Sequence, residues 1–140
     1  MIAALQSGLE GHPATGAKVF ALETPYSSPE VLYDALRKHW RQYRPDALIL
    51  FDWREFVTVT SFFSDSGIST PKDISVALLS GDNSMAWHLP KLAHYEFNTQ
   101  KLAKAVARWA ADDSASSAAS KVAITMRPQW REGASILDRR

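Results

Sequence analysis

The chain has no cysteine among its 140 residues and no excess of charge, since 16 basic and 15 acidic residues leave a formal net charge of +1. Without cysteine it can form no disulfide bond, thiolate metal site or cysteine nucleophile, and this suits a cytoplasmic protein. A protein that held nucleic acid by bulk electrostatics would be far more basic.

Long apolar runs and catalytic motifs are also absent. No apolar stretch approaches the roughly 20 residues of a membrane-spanning helix, and the first residues, MIAALQSGLEGHP, lack the basic start and apolar centre of a signal peptide. The sequence has no Gly-rich phosphate loop, Ser-x-x-Lys, His-Glu-x-x-His or nucleophile elbow. Its histidines are scattered singly, whereas a metal site needs several converging donors. We therefore expect neither an enzyme nor a protein with a metal or other cofactor, and no membrane association.

The composition is that of one globular domain over residues 1–140, with 46% hydrophobic and 22% charged residues. Short apolar runs typical of buried strands occur at residues 17–22, 47–51, 74–79 and 93–97, with further strands or arms at 122–126 and 130–136. Helical patterns alternate with them. They predict a first helix at 2–9, one that begins after the Ser28 cap, one over about 54–66 that ends at Gly67, and one over 99–111.

Apolar side chains recur at helical spacing on the last three of these helices, and we expect them to pack in the core. Trp40 and Trp109 are therefore predicted to be core residues. The predicted stripes are Val31, Leu32, Ala35, Leu36, Trp40 and Tyr43; Phe56, Val59, Thr60 and Phe63; and Leu102, Ala105, Val106 and Trp109.

The alternation predicts an α/β fold, a three-layer sandwich whose mostly parallel, doubly wound sheet has helices on both faces. In open sheets of this kind, ligands bind beyond the carboxyl ends of the strands. The strand ends at residues 23–26, 52–53, 80–82 and 97–98 are therefore expected to meet at one edge and to form a ligand site.

Several segments match a known family in order and spacing. Residues 67–76, GISTPKDISV, match the pattern Gly-(Leu/Ile)-x-(Val/Ile)-Pro-x-Asp-(Ile/Val)-Ser-Val, and Pro90-Lys91-Leu92 stands where Pro-Pro-Leu is usual. Residues 130–136, WREGASI, look like the family's closing strand. With these motifs, residues 45–136 resemble the effector-binding domain of the LacI/GalR family of transcription regulators, which has the type I periplasmic-binding-protein fold.

The resemblance implies the ligand-sensing part of a bacterial transcription regulator, which binds a small effector and modulates DNA binding by the full-length protein. It covers only the C-terminal subdomain, so we expect a half domain that lacks its first strand and the DNA-binding headpiece, through which alone DNA would be bound. It also implies a homodimer, in which Phe62 could face the partner. Since the missing strand is central, we expect two open sheet edges to drive self-association or to pair with residues 122–126.

The resemblance assigns the effector site to residues that mostly depart from the family's usual ones. Tyr26 stands where family members often stack an aromatic ring on the sugar, and Asp52-Trp53 replaces Asn-Asp. Ser80-Gly81 replaces an Asp-Asp turn and is followed by Asp82, which could substitute for the missing carboxylate. Phe97 replaces a polar group.

Other interpretations of these residues stay open. Asp52 could cap a helix, Asp82 could shape a turn, and Phe97 could pack in the core. The more aromatic lining, with fewer neutral amide groups, argues against a standard sugar. It leaves open a nucleoside, an aromatic metabolite, a modified sugar, or a site that has lost binding. The chain could also be a truncated interaction or dimerisation fragment without a competent site, or part of a periplasmic sugar-binding transport protein.

Overall fold

The secondary structure follows the predicted alternation. The structure is a computed structural model, and it describes residues 18–20, 22, 28–111 and 125–138. In chain order the elements are α1 (Pro29–Tyr43), β1 (Ala47–Leu50), α2 (Trp53–Ser66), β2 (Ser75–Gly81), a 3-10 helix (Asn83–Trp87), β3 (Ala93–Glu96), α3 (Thr99–Ala111) and β4 (Gln129–Arg131).

The strands form one sheet in the order β1-β2-β3-β4, in which β1, β2 and β3 are parallel and β4 runs antiparallel to β3. Leu50 lies opposite Leu78, and beyond an irregularity in β2 Gly81 lies opposite Glu96. The mostly parallel α/β sheet predicted from the sequence is therefore confirmed. Within the described residues, β1 is an edge strand.

Local signals set the ends of the first two helices. The side chain of Ser28 accepts a hydrogen bond from the backbone N–H of Val31 at the start of α1, where Pro29 follows the cap. Gly67 ends α2 in the left-handed conformation, with φ of 66°, which glycine adopts without steric cost.

The core lies between one face of the sheet and the helices α1 and α2. Leu50, Val76 and Leu78 point to this face from β1 and β2, and they form one buried cluster with side chains of both helices. Alternate residues of each strand point the other way. Among the described residues this second face, called the open face below, exposes Ile49, Phe51, Tyr95, Phe97 and Trp130.

The C-terminal arm crosses the amino end of the sheet and is fixed by buried hydrogen bonds. The Ser135 hydroxyl donates to the carbonyl oxygen of Val76 at 2.7 Å and accepts from the backbone N–H of Ala93 at 2.9 Å. The backbone of Ser135 bonds to Val76 and Lys91 as well. The predicted extended arm at 130–136 is confirmed, with its strand at Gln129–Arg131.

Two sequence predictions about packing are wrong, one for the apolar stripe of α3 and one for Phe62. Trp109 is exposed, because α3 buries none of its residues. Phe62, expected to face a partner, is buried and packs edge-on against Tyr33 and Trp40. Trp40 itself packs against the core as predicted.

The strand predicted at 17–22 is not formed in its described residues, 18–20 and 22. Phe20 instead stacks on Tyr43 at the end of α1, with ring centroids 4.0 Å apart. A strand needs a hydrogen-bonded neighbour, and none of the described strands lies beyond β1 to supply one. The helix predicted at 2–9 and most of the segment at 122–126 lie outside the described residues.

Candidate functional site

The parallel strands bring the predicted site residues to one edge of the sheet. Asp52 and Trp53 follow β1, Gly81 ends β2 with Asp82 after it, and Phe97 follows β3. Since these strands are parallel and adjacent, their carboxyl ends lie side by side. Ser80 is exposed near the end of β2, and Tyr26 lies outside the described residues.

Asp52 is the N-cap of α2, and both its oxygens are engaged. Oδ1 accepts from the backbone N–H groups of Arg54 and Glu55 at 2.9 and 3.3 Å, and Oδ2 accepts from Arg54 Nε and Nη2 at 3.1 and 2.7 Å. The Arg54 guanidinium, together with these backbone donors, lowers the pKa of the Asp52 carboxyl from its ordinary value. The capping role left open by the sequence is thus confirmed, and it holds Asp52 ionised at the edge of the sheet.

Asp82 has a similar role one strand away. Its Oδ1 accepts from the backbone N–H of Ser84 at 2.7 Å and caps the 3-10 helix. Hydrogen bonds from the Ser84 side chain and backbone lower the pKa of the Asp82 carboxyl, with a smaller contribution from the charge of His94. The His94 ring also requires glycine at position 81, because a Cβ on Gly81 would lie 2.4 Å from Cδ2 of that ring.

Two aromatic side chains flank these carboxylates. Trp53 is 56% exposed at the first position of α2, and Phe97 is 41% exposed after β3. The prediction that Phe97 could be a core residue is therefore wrong. The edge presents flat apolar rings beside ionised acceptors, a combination that suits a small ligand with hydroxyl groups on an apolar ring.

One ion pair at this edge was not predicted from the sequence. The guanidinium of Arg131 in β4 donates to the carboxylate of Glu96, the last residue of β3. The two residues are 35 positions apart in sequence, and they meet because β4 returns antiparallel to β3. The signal available was the closing-strand motif, which contains Arg131 but does not indicate its partner.

The described residues contain neither a cluster of metal ligands nor a membrane-spanning helix. No group of three or more His, Cys, Asp or Glu residues in this part of the chain is placed to hold a metal ion. Over the same residues, no helix combines the length and apolarity needed to cross a membrane.

A cavity lies at the opposite, amino edge of the sheet. It has a volume of about 490 Å³ and lies between the C-terminal ends of α1 and α2 and the loops before β1 and β2. Its charged lining mixes Arg44 and Lys72 with Asp46 and Asp73. The sequence did not indicate this cavity, and it is separated from the carboxyl edge by the length of the strands.

Comparison with known proteins gives a consistent result. Residues 3–136 match the sequence profile of the family described as periplasmic binding protein-like domain. No curated protein sequence matches the chain.

Solved structures of regulators share the fold. A LacI family transcriptional regulator from Bifidobacterium animalis subsp. lactis is 18% identical with a TM-score of 0.73, over 96% of this chain and 47% of that one. A PurR family transcriptional regulator from Vibrio parahaemolyticus is 17% identical with a TM-score of 0.68, over 97% and 49%. A LacI family transcriptional regulator from an Arthrobacter species, in complex with lactose, is 16% identical with a TM-score of 0.66, over 79% and 42%.

The resemblance to LacI-type regulators stated from the sequence is confirmed by these matches, as is the periplasmic-binding-protein-like fold. At these identities the solved structures establish the fold alone. The chain spans less than half the length of each of the three regulators.

Proposed function

The chain belongs to the periplasmic binding protein-like domain family, and from that premise we propose that it is the effector-sensing part of a LacI-type transcription regulator. It binds a small molecule without converting it. In the full-length protein, a homodimer in the cytoplasm, the bound effector shifts the equilibrium between states that differ in DNA affinity. DNA is bound through a headpiece outside this chain, which corresponds to the C-terminal subdomain of the sensing domain.

The observation that supports this proposal best is the convergence of strand ends at the carboxyl edge. Asp52 and Trp53 stand after β1, Asp82 after β2 and Phe97 after β3, all on one edge of adjacent parallel strands. This is the position where open α/β sheets bind ligands. Tyr26, Ser80 and Gly81 complete the proposed effector-binding set.

The chemistry of the edge favours a sugar-like effector or an aromatic metabolite. The exposed rings of Trp53 and Phe97 offer flat apolar surface to the face of a sugar or base. The carboxylate of Asp82 can accept further hydrogen bonds from ligand hydroxyls, because only its bond from Ser84 occupies Oδ1. The four hydrogen bonds that Asp52 already accepts fill its lone pairs, so a ligand hydroxyl would have to replace one of the Arg54 donors. That the Arthrobacter regulator was solved with lactose makes a disaccharide the first ligand to test.

The first experiment is a thermal-shift screen of the 140-residue chain against mono- and disaccharides, beginning with lactose, and against nucleosides. A ligand that binds the folded state raises the midpoint of unfolding. Any hit is then titrated by calorimetry against Trp53→Ala and against Val57→Ala. Val57 lies one helical turn further along α2 and is similarly exposed, so it is a matched control.

We expect Trp53→Ala to weaken binding by about tenfold, or about 1.4 kcal/mol, and Val57→Ala to leave it within twofold. An equal loss of affinity in both variants would mean that the ligand does not bind against Trp53. No shift with any member of the panel would favour the alternative that the chain is an interaction fragment without a competent site.

A further inference from the structure

We propose that His94 is a further effector-binding residue at the carboxyl edge, and that its Nε2 and the Asp82 carboxylate together accept hydrogen bonds from two neighbouring hydroxyl groups of the ligand. The inference rests on the proposed function, because it names a contact and a ligand class for the same site. His94 lies outside the set of residues that the sequence predicted for this site.

His94 is a buried polar side chain with one ring nitrogen engaged. It is 5% exposed and lies in β3. Its Nδ1 lies 3.0 Å from the backbone carbonyl oxygen of Leu92. Because a carbonyl oxygen can only accept, Nδ1 must carry the hydrogen, and in the neutral ring Nε2 then has a lone pair. The bond to Leu92 therefore selects the tautomer in which Nε2 is an acceptor.

The His94 ring lies against the end of β2. His94 is opposite Leu78 in the register, so it points to the core side of the sheet, away from the open face. A Cβ on Gly81 would lie 2.4 Å from Cδ2 and 2.7 Å from Cγ of the ring, which therefore fills the space of a side chain at position 81. While Nδ1 faces back to Leu92, the Cδ2 atom bonded to Nε2 faces the carboxyl end of β2.

The second ring nitrogen, Nε2, is available to a ligand. It makes no hydrogen bond with any residue that the structure describes. Buried polar atoms without a partner are costly and rare, and no enclosed side-chain nitrogen or oxygen in the described part of the chain lacks one. Nε2 therefore reaches the protein surface, although most of the ring is buried. Packing of the ring holds this one exposed acceptor in a fixed position.

Asp82 supplies a second acceptor beside the ring, because it directly follows Gly81. Its Oδ1 accepts from the backbone N–H of Ser84, and its Oδ2 forms no hydrogen bond within the described residues. After the larger effect of the Ser84 hydrogen bonds, the charge of protonated His94 also lowers the pKa of the Asp82 carboxyl, as expected for neighbouring groups.

Two neighbouring acceptors require two neighbouring donors in the ligand. Adjacent hydroxyl groups of a pyranose ring, or of the ribose of a nucleoside, meet this requirement. Arg131 lies opposite His94 in β4, but its guanidinium is paired with Glu96. The site therefore selects a ligand with an intact vicinal diol and rejects its deoxy analogues, which leave a buried acceptor unpaired.

Calorimetric titration with lactose and with adenosine tests the contact. The amide of His94→Asn can keep the bond to Leu92 but has no atom at the position of Nε2, which the longer amide of His94→Gln can reach. We expect His94→Asn to bind the probe about tenfold more weakly than the wild type, and His94→Gln to stay within about threefold. His39→Asn is the matched control and should leave the affinity unchanged, because the Nδ1 of His39 also bonds a backbone carbonyl but on α1.

Deoxy analogues of the bound probe distinguish a ligand contact from a structural role. Removal of a hydroxyl that His94 contacts should weaken binding about tenfold in the wild type and should not weaken it further in His94→Asn.

NMR of the wild-type chain provides a measurement that does not depend on whether the variants fold. With isotope-labelled imidazole nitrogens, the Nε2 signal of His94 should move when lactose or adenosine is added, since Nε2 accepts a new hydrogen bond. The ring signals of His39 should stay in place.

The outcomes separate this inference from the proposed function. If Trp53→Ala weakens binding while His94→Asn binds like the wild type, or while the His94 Nε2 signal does not move, the role of His94 is wrong and the effector site stands. Equal losses in His94→Asn and His94→Gln, with the wild-type discrimination against deoxy analogues retained, would mean that the ring is only structural. Absence of binding by lactose, adenosine and the rest of the panel would contradict both proposals.

Discussion

At the scale of single residues, Ser135 shows how one hydroxyl fixes the C-terminal arm to the sheet. The side chain is fully buried, donates to the Val76 carbonyl of β2 and accepts from the Ala93 N–H of β3. Its own backbone bonds to Val76 and Lys91. The Ser135 hydroxyl therefore joins the arm to two strands through buried hydrogen bonds, and a hydrogen bond left unmade at such a site is costly.

Ser135→Ala should lower the free energy of unfolding by about 2–4 kcal/mol, because it leaves two buried backbone groups unpaired. Urea denaturation followed by circular dichroism gives this value. Ser64→Ala, at an exposed position of α2, is the control and should change stability by less than about 0.5 kcal/mol. A loss below about 0.5 kcal/mol in Ser135→Ala would mean that the arm is not anchored as described.

Gly133 is a second residue-scale constraint. A Cβ there would lie 2.3 Å from the backbone carbon of Leu92 and 2.4 Å from the backbone nitrogen of Ala93, so the arm would have to move off the sheet. Gly133→Ala should destabilise the fold by about 2 kcal/mol or more.

Gly67→Ala provides the comparison, measured in the same urea titration. Its Cβ would meet no atom within 4 Å, and the variant would lose only the ease of a positive φ, at a cost of about 1 kcal/mol. Equal destabilisation of the two variants would contradict the close approach of the arm to the strand.

At the scale of elements, the start of α2 depends on the ionised form of Asp52. Its carboxylate caps the helix and pairs with Arg54, and these contacts lower its pKa in the folded state. A group with a lowered folded pKa contributes stability above its ordinary pKa and loses it as the pH falls through the lowered value.

Asp52→Ala should therefore cost about 1 kcal/mol near neutral pH, and this cost should shrink as the pH falls below about 4. Urea titrations at several pH values measure it. Asp34→Ala removes a carboxylate of α1 that caps nothing, and the change should stay within about 0.5 kcal/mol at every pH. A cost that does not vary with pH would show that the cap acts without its charge.

Local signals explain which elements were predictable. The Ser28-Pro29 start, the Gly67 stop and the run 99–111 involve neighbouring residues, and the structure reproduces these boundaries. Burial depends on what packs from elsewhere in the chain. For this reason the sequence wrongly predicted Phe62 to face a partner and Trp109 to be buried, whereas Phe62 is buried and Trp109 is exposed.

The same distinction holds for the candidate site. The residues after β1, β2 and β3 were predictable because parallel strands bring their carboxyl ends together. The capping bonds of Asp52 and Asp82 were open alternatives, which only three-dimensional geometry could decide. The Glu96–Arg131 pair depended on the direction of β4, and no local pattern in the sequence sets that direction.

At the scale of the whole molecule, the described residues form a sheet with one face packed against α1 and α2 and the other exposed. The carboxyl edge has aromatic rings and ionised carboxylates, and the amino edge has the cavity beside Arg44 and Lys72. We propose that the effector binds at the first edge and not at the second. The two edges are opposite ends of the same strands, so a ligand can be assigned to one without ambiguity.

The most direct test is a two-dimensional NMR titration of the isotope-labelled chain with lactose, followed by the other saccharides and nucleosides of the screen. We predict that the amide signals of Trp53, Asp82 and Phe97 shift on addition of the effector, while those of Arg44 and Lys72 do not. Shifts confined to the amino-edge cavity, or no shift with any ligand of the panel, would contradict an effector site at the carboxyl edge.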